Sequence, residues 1–137
     1  MKKSGFTLIE LMMASVVLAV LAAIAIPNFT RMQIRAMESE VKSVAHMVQV
    51  AVEDYKSAPG NEGIKPANIY QFATFLPTNI SSKRNPFFPA ETYGSGALVN
   101  GYPAAYGRVG YINGGQTPYT IAAMGKGELI LTLVEGQ

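Results

Sequence analysis

One uninterrupted apolar run near the start constrains this chain more than anything else in it. Phe6 to Ile26 make up 21 residues, of which 18 are apolar, the exceptions being Thr7, Glu10 and Ser15. As an α-helix rising ~1.5 Å per residue, the run spans about 31 Å, close to the ~30 Å hydrocarbon thickness of a bilayer. A chain of 137 residues is about one domain long, and its residues are 49% hydrophobic and only 15% charged. Some of that apolar content must therefore face something other than a soluble core. Lys2 and Lys3 precede the run. The positive-inside rule then places the N-terminus in the cytoplasm and everything after Ile26 across the membrane.

The remaining composition excludes several function classes. The formal charge is +2, and Lys2 and Lys3 supply all of the excess, so the rest of the chain offers no basic surface for nucleic acid. Zero cysteines rule out a disulfide framework, thiolate metal sites and cysteine nucleophiles. His46 is the single histidine; it sits inside a helical segment and is read as structural. Glu53 and Asp54 are adjacent, point to different sides of a helix, and so form no acid–base pair. Gly94-Ser95-Gly96 and Gly125-Lys126-Gly127 lack the lengths and flanks of a phosphate-binding loop and read as turns. Lys83-Arg84 is a solvated loop pair, far short of the six or so contacts on which phosphate binding rests. Two segments fit the glycosylation acceptor pattern, Asn28-Phe29-Thr30 by chance at the membrane edge and Asn79-Ile80-Ser81 in a loop. The chain is expected to be neither an enzyme nor a holder of any cofactor or metal.

The apolar run has three possible fates. It can be a permanent single-pass anchor, or a secretory signal cut at Ala23-Ile24-Ala25. Glu10 counts against the second, because it sits early in what would be the uncharged part of such a signal, and so does the helical pattern that continues past Ala25. The third comes from the run's front, Gly5-Phe6-Thr7-Leu8-Ile9-Glu10, preceded by the short basic leader Met1-Lys2-Lys3-Ser4. This resembles the class III signal of type IV pilins and of the related pseudopilins of type II secretion systems. The resemblance implies cleavage after Gly5 by a prepilin peptidase on the cytoplasmic side and N-methylation of the new terminus at Phe6, with the apolar helix retained. It assigns Gly5 and Phe6 to processing, and Pro27, at a distance from the mature terminus where the family often carries a proline, to assembly; Glu10, a carboxylate near one end of an apolar span, is expected to have a partner and is read as a second assembly residue.

Physically, Pro27 removes one helical N–H and clashes with the preceding turn, which marks either a helix end or a kink. The residues beyond it favour continuation. Met37, Val41, Val44, Val48, Ala51 and Tyr55 recur at three- and four-residue steps, while Arg35, Glu38, Lys42 and Glu53 lie off that stripe. The spacing predicts one helix over 6–57, stopped by Ala58-Pro59-Gly60-Asn61. The 77 residues from Asn61 to Gln137 are too few to hold a large core alone, so the stripe is expected to form the core's other wall. A short amphipathic helix is predicted within Pro66–Leu76 on Ile69, Phe72, Ala73 and Leu76. Pro77 to Gly107 reads as loop, long enough to call either for a short strand near Ala97–Asn100 or for support from neighbouring subunits. Its run Asn85-Pro86-Phe87-Phe88-Pro89 is loosely similar to the proline and aromatic loop of many pilins. Arg108–Ile112, Tyr119–Ala123 and Glu128–Val134 alternate as strands and predict a three-stranded antiparallel meander on the long helix, an α+β fold.

The expectation is a leader at 1–5, a long helix at 6–57 whose 6–26 portion spans the membrane or fills a filament core, and a head at 58–137. Its implied function is that of a pilus subunit, inserted in the inner membrane, trimmed by prepilin peptidase and polymerised with other copies of itself by the assembly machinery into a surface filament. The alternatives are a type II secretion pseudopilin in a periplasmic pseudopilus and a membrane-anchored binding domain that never assembles. In two respects the chain departs from the resemblance. It has no cysteine for the C-terminal disulfide of many pilins, and between Gly107 and Gln137 only Glu128 and Glu135 could serve a calcium site of the pseudopilin kind.

Overall fold

The computed structural model describes residues 5–115 and 117–136. The leader residues Met1–Ser4, with the lysine pair that sets the expected orientation, lie outside them, as do Gln116 and Gln137. The first element is helix α1, Leu8–Ser57, with Pro27 inside it. The helix therefore resumes beyond the proline, as the spacing implied. It stops where Pro59 and Gly60 follow. The main chain turns there through hydrogen bonds from Asn61 N to Ala58 O (3.0 Å) and from Gly63 N to Lys56 O (2.9 Å). By its internal contacts the chain divides into two compact units, Met1–Arg35 and Ala36–Gln137.

In the first unit every residue from Gly5 to Gln33 is exposed. The apolar side chains that filled the sequence pattern, from Phe6 through Phe29, meet no core of their own chain.

The second unit is the head. One wall is the part of α1 that buries Val41, Val44, Ala45, Val48, Ala51 and Val52. Each valine taken fully from water contributes roughly 1.5–3 kcal/mol before the entropy cost of ordering it. Ala45 and Val52 widen the expected stripe. Helix α2, Ile69–Phe72, continues as a 3₁₀ turn, Ala73–Phe75. It begins later than Pro66 because Asn68 is its N-cap, accepting from Tyr70 N, while Pro66 is buried and its carbonyl accepts from Tyr111 Oη (2.8 Å) and Asn113 Nδ2 (3.1 Å).

The other wall is a sheet of four strands, β1 (Leu98–Asn100), β2 (Val109–Ile112), β3 (Thr120–Met124) and β4 (Leu129–Val134), in the order β1-β2-β3-β4. The expected meander is β2-β3-β4, antiparallel throughout. β1 adds a parallel partner to β2, at the site the sequence left open. Register places Leu98, Val109, Ala123 and Leu131 in one row and Tyr111, Ile121 and Leu133 in the next. These residues face α1, fully buried in β2 and β3 and half-buried in the edge strand β4. The β1–β2 connection folds back so closely that a Cβ on Gly110 would collide with the Gly101 carbonyl and Pro103. Glycine is the residue that lets the two strands lie parallel over so short a connection.

Polar links close the head at both ends. Lys56 bridges Glu53 (3.0 Å) and Glu135 (2.7 Å), and Lys65 also reaches Glu135 (2.9 Å), so the last turn of α1 is tied to the residue after β4. Tyr119 Oη donates to Glu53 at 2.5 Å. The loop from Pro77 to Gly107 is organised around Asn85, which is fully buried. Its Oδ1 accepts from Phe87 N (2.9 Å) and Phe88 N (3.3 Å), and its Nδ2 donates to Tyr106 O (2.9 Å). Arg108 grips Glu91 with two hydrogen bonds, 3.2 and 2.7 Å. The loop is held by its own chain.

Candidate processing and assembly segment

The residues singled out for processing and assembly all lie in the first unit. Gly5 and Phe6 precede α1 in non-helical backbone, both exposed, Phe6 at 84%. Nothing lies within 4 Å of where a Cβ on Gly5 would sit. Packing among the described residues does not call for glycine at that position.

Thr7 starts the helix, which accounts for α1 opening at Leu8 rather than at Phe6. Its Oγ1 accepts from Glu10 N (3.3 Å), while Glu10 Oε2 accepts from Thr7 N and from Thr7 Oγ1, both at 2.8 Å. This is a capping box: two main-chain N–H groups that the first turn would leave unpaired are satisfied reciprocally. Its signal, a Thr with a Glu three residues on, stands in the sequence as Thr7-Leu8-Ile9-Glu10. Within the apolar run Thr7 counts only as an exception to hydrophobicity, and the cap is what sequence reasoning missed. Among the described residues no hydrogen bond joins Glu10 to Phe6, whose nitrogen is an amide in the uncut chain. The structure brings Glu10 to Thr7 and leaves Phe6 and Pro27 apart from it.

Pro27 lies inside α1 with no N–H for the carbonyl one turn earlier. Nearby, Thr30 Oγ1 donates to Ile26 O (3.2 Å) and Pro27 O (3.0 Å), and Ser15 Oγ does the same for Met12 O (2.8 Å). The hydroxyls that break the apolar pattern are thus turned onto the helix's own backbone. Glu10 is the one carboxylate on an otherwise apolar surface that passes the length and composition test for a membrane span. That surface can do two things: dissolve in lipid, or pack against other apolar helices.

Two comparisons with known proteins found a match, one of them on this same segment. The prokaryotic N-terminal methylation motif matches residues 1–26. The chain is 43% identical over 56 residues to a type IV major pilin protein, PilA, of Myxococcus xanthus (strain DK1622), a match covering 41% of this chain and 26% of that relative. No solved structure matches the chain. The chain thus carries the N-terminal methylation motif ahead of an α+β fold and is similar over part of its length to a type IV major pilin, and the resemblance first drawn from Gly5 to Glu10 is supported by both matches.

Proposed function

We propose that this chain is a structural subunit of a type IV pilus-like filament. A prepilin peptidase cuts it after Gly5, Phe6 is N-methylated, and the apolar part of α1 leaves the inner membrane to pack with the same segment of other copies in a surface fibre. The observation that carries this reading is the methylation motif at the front of an apolar helix whose residues are exposed without exception to Gln33. Such a surface is unstable in water and needs either lipid or other copies around it.

Glu10 is the assembly residue in this reading. A carboxylate in lipid costs up to ~2.5–3.5 kcal/mol at the bilayer centre and less near its edge. Cleavage creates an amine at Phe6, with an ordinary pKa near ~7.7–8. Pairing that amine with Glu10 of a neighbouring copy neutralises both and sets the register between otherwise featureless helices. The Thr7 cap holds Glu10 in the meantime, and an amine on its own chain competes for it. Pro27 loosens the helix during packing. Electron microscopy of surface fibres sheared from cells making an epitope-tagged chain tests the reading: tagged fibres are expected, and a tag confined to the membrane fraction overturns it.

A further inference from the structure

An asparagine followed by glycine is open to attack by its own backbone, because the glycine nitrogen has no side chain beside it and can close a five-membered ring on the asparagine Cγ. The chain has two such dipeptides, Asn100-Gly101 and Asn113-Gly114. Both asparagines are exposed, one ending β1 and the other following β2. They differ in what the fold does with the glycine nitrogen.

At the first dipeptide that nitrogen is spent. Gly101 N donates to Tyr111 O at 2.7 Å, just past the paired residues of β1 and β2, and Asn100 Oδ1 accepts from Ile69 N at 2.9 Å, which ties the side-chain carbonyl to the start of α2. Attack would need both the proton and the hydrogen bond of Gly101 to be given up. At the second dipeptide nothing among the described residues accepts from Gly114 N. Instead Gly115 N donates to Asn113 Oδ1 at 2.8 Å, a turn that folds the side-chain carbonyl back over the Gly114 peptide. The same donor faces the oxygen on which charge collects as the ring closes. Nor can the glycine be dispensed with. Gly114 O accepts from Thr117 N (3.0 Å) and Thr117 Oγ1 (2.8 Å), and a Cβ on Gly114 would collide with that hydroxyl and with Pro118 O. The turn that requires glycine leaves the asparagine ahead of it open to attack.

We infer that Asn113 is a site of spontaneous deamidation, with water as the co-reactant, and that the fold protects Asn100 from the same reaction. Gly114 N gives up its proton and bonds to Asn113 Cγ. The Cγ–Nδ2 bond breaks, and ammonia leaves with a proton returned through water. Water then opens the succinimide ring at either carbonyl, giving aspartate or isoaspartate, and nothing is oxidised or reduced. The product carries one more negative charge. It has also lost the hydrogen bond from Asn113 Nδ2 to Pro66 O (3.1 Å), and the aspartate form sets a carboxylate oxygen against that carbonyl. The reaction is independent of assembly. The turn between β2 and β3 thus records the age of each copy.

Trypsin separates the two sites, cutting after Arg84, Arg108 and Lys126 and so placing Asn100 and Asn113 in different peptides. The full chain, folded in detergent, is held in mildly alkaline buffer while mass spectrometry follows the replacement of amide by acid in each peptide. Asn113 is expected to react several-fold faster than Asn100, its product splitting into separately eluting aspartate and isoaspartate forms. In the chain unfolded in guanidinium the two rates should converge. Asn113→Gln should remove the change from its peptide; the wild-type comparison needs no variant, so a poorly folding Asn113→Gln leaves the test intact. Equal rates in the folded chain, faster reaction at Asn100, or a change that persists in Asn113→Gln overturns the inference. Rates that stay apart in guanidinium overturn it too, since the difference would then lie in the local sequence and not in the fold.

Discussion

The two units of this chain spend apolar residues in opposite ways. In the head, Val48, Val109, Tyr111 and Ile121 are sealed from solvent, with α1 on one side and the sheet on the other. In the first unit Leu11, Leu18, Ile24 and their neighbours are as apolar and stay more than half exposed. The same hydrophobic effect acts on both. What differs is where the covering surface comes from: the head's own chain or, in the proposed function, lipid and other copies. Substitutions in the two units should therefore fail in different ways, one through folding and one through association.

The largest contrast is expected at Glu10. Glu10→Leu should insert and be cleaved, since Gly5 and Phe6 at the cut are unchanged, yet fail to enter fibres. Thr7→Ala separates the two roles of this carboxylate. Losing the cap costs about 1 kcal/mol of helix stability, so Thr7→Ala fibres should be reduced only modestly. Fibre loss equal to that of Glu10→Leu would show that the cap, not a pairing between copies, is what Glu10 supplies. Sheared-fibre yield normalised to membrane-resident subunit reads both.

Next in size is a matched pair of truncations. Ile121→Ala should destabilise the head by about 2–5 kcal/mol, because Ile121 is fully buried and its removal leaves a cavity. Leu18→Ala removes as much side chain from an exposed position in the first unit. Denaturant unfolding of the detergent-solubilised chain, followed by tyrosine signals from the head, should shift for the first and not for the second. A comparable shift for both would undo the division into two units.

Asn85→Leu should cost about 2–3 kcal/mol, since it leaves the N–H groups of Phe87 and Phe88 and the carbonyl of Tyr106 without their partner in a buried place. Loosening should be confined to the loop around Tyr106. Hydrogen exchange that rises across the whole head instead would show that the loop is not a separate unit of stability.

The smallest effect concerns acid. Hydrogen bonds from Lys56 and Lys65 hold the Glu135 carboxyl below the usual carboxylate range, and the Arg108 guanidinium does the same for Glu91. A carboxylate with a depressed folded pKa contributes stability that is complete above its unfolded value, near ~4.3, and is lost as pH falls through the folded one. Head stability should decline on acidification below about pH 4.3, with Glu135→Gln flattening part of the decline. For Lys56, burial works against the charge, but Glu135 and Glu53 outweigh it and its pKa is raised. Its contribution is complete below about pH 10.4, the ordinary lysine value, and should fade only above that. An acid limb that Glu135→Gln leaves unchanged would remove the Lys56–Glu135–Lys65 link from the account.

Much of this architecture was legible in the sequence because periodicity is a local property. The valine stripe of α1, the strands β2 to β4 and the stop after Ser57 follow from spacing and from turn residues, and the structure agrees to within about a residue or two. β1 was harder to see. Three residues are too few for a period, and β1 exists because β2 offers it a parallel edge. Asn85 was hidden for a related reason: an Asn before Pro86 signals a turn, but nothing local says that Tyr106, far along the chain, will supply its third partner. The residues proposed for processing were legible as a motif. What was not, though written in plain residues, is that Thr7 and Glu10 cap their own helix.

The central claim is that the apolar end of α1 survives processing and is what copies share. N-terminal sequencing with intact-mass measurement of the subunit recovered from sheared fibres addresses it directly. The account predicts a subunit that begins at an N-methylated Phe6 and runs on through Pro27. A fibre subunit beginning at Ile26, after the small-residue segment Ala23-Ile24-Ala25, would contradict it, because the apolar helix would then have been discarded before assembly.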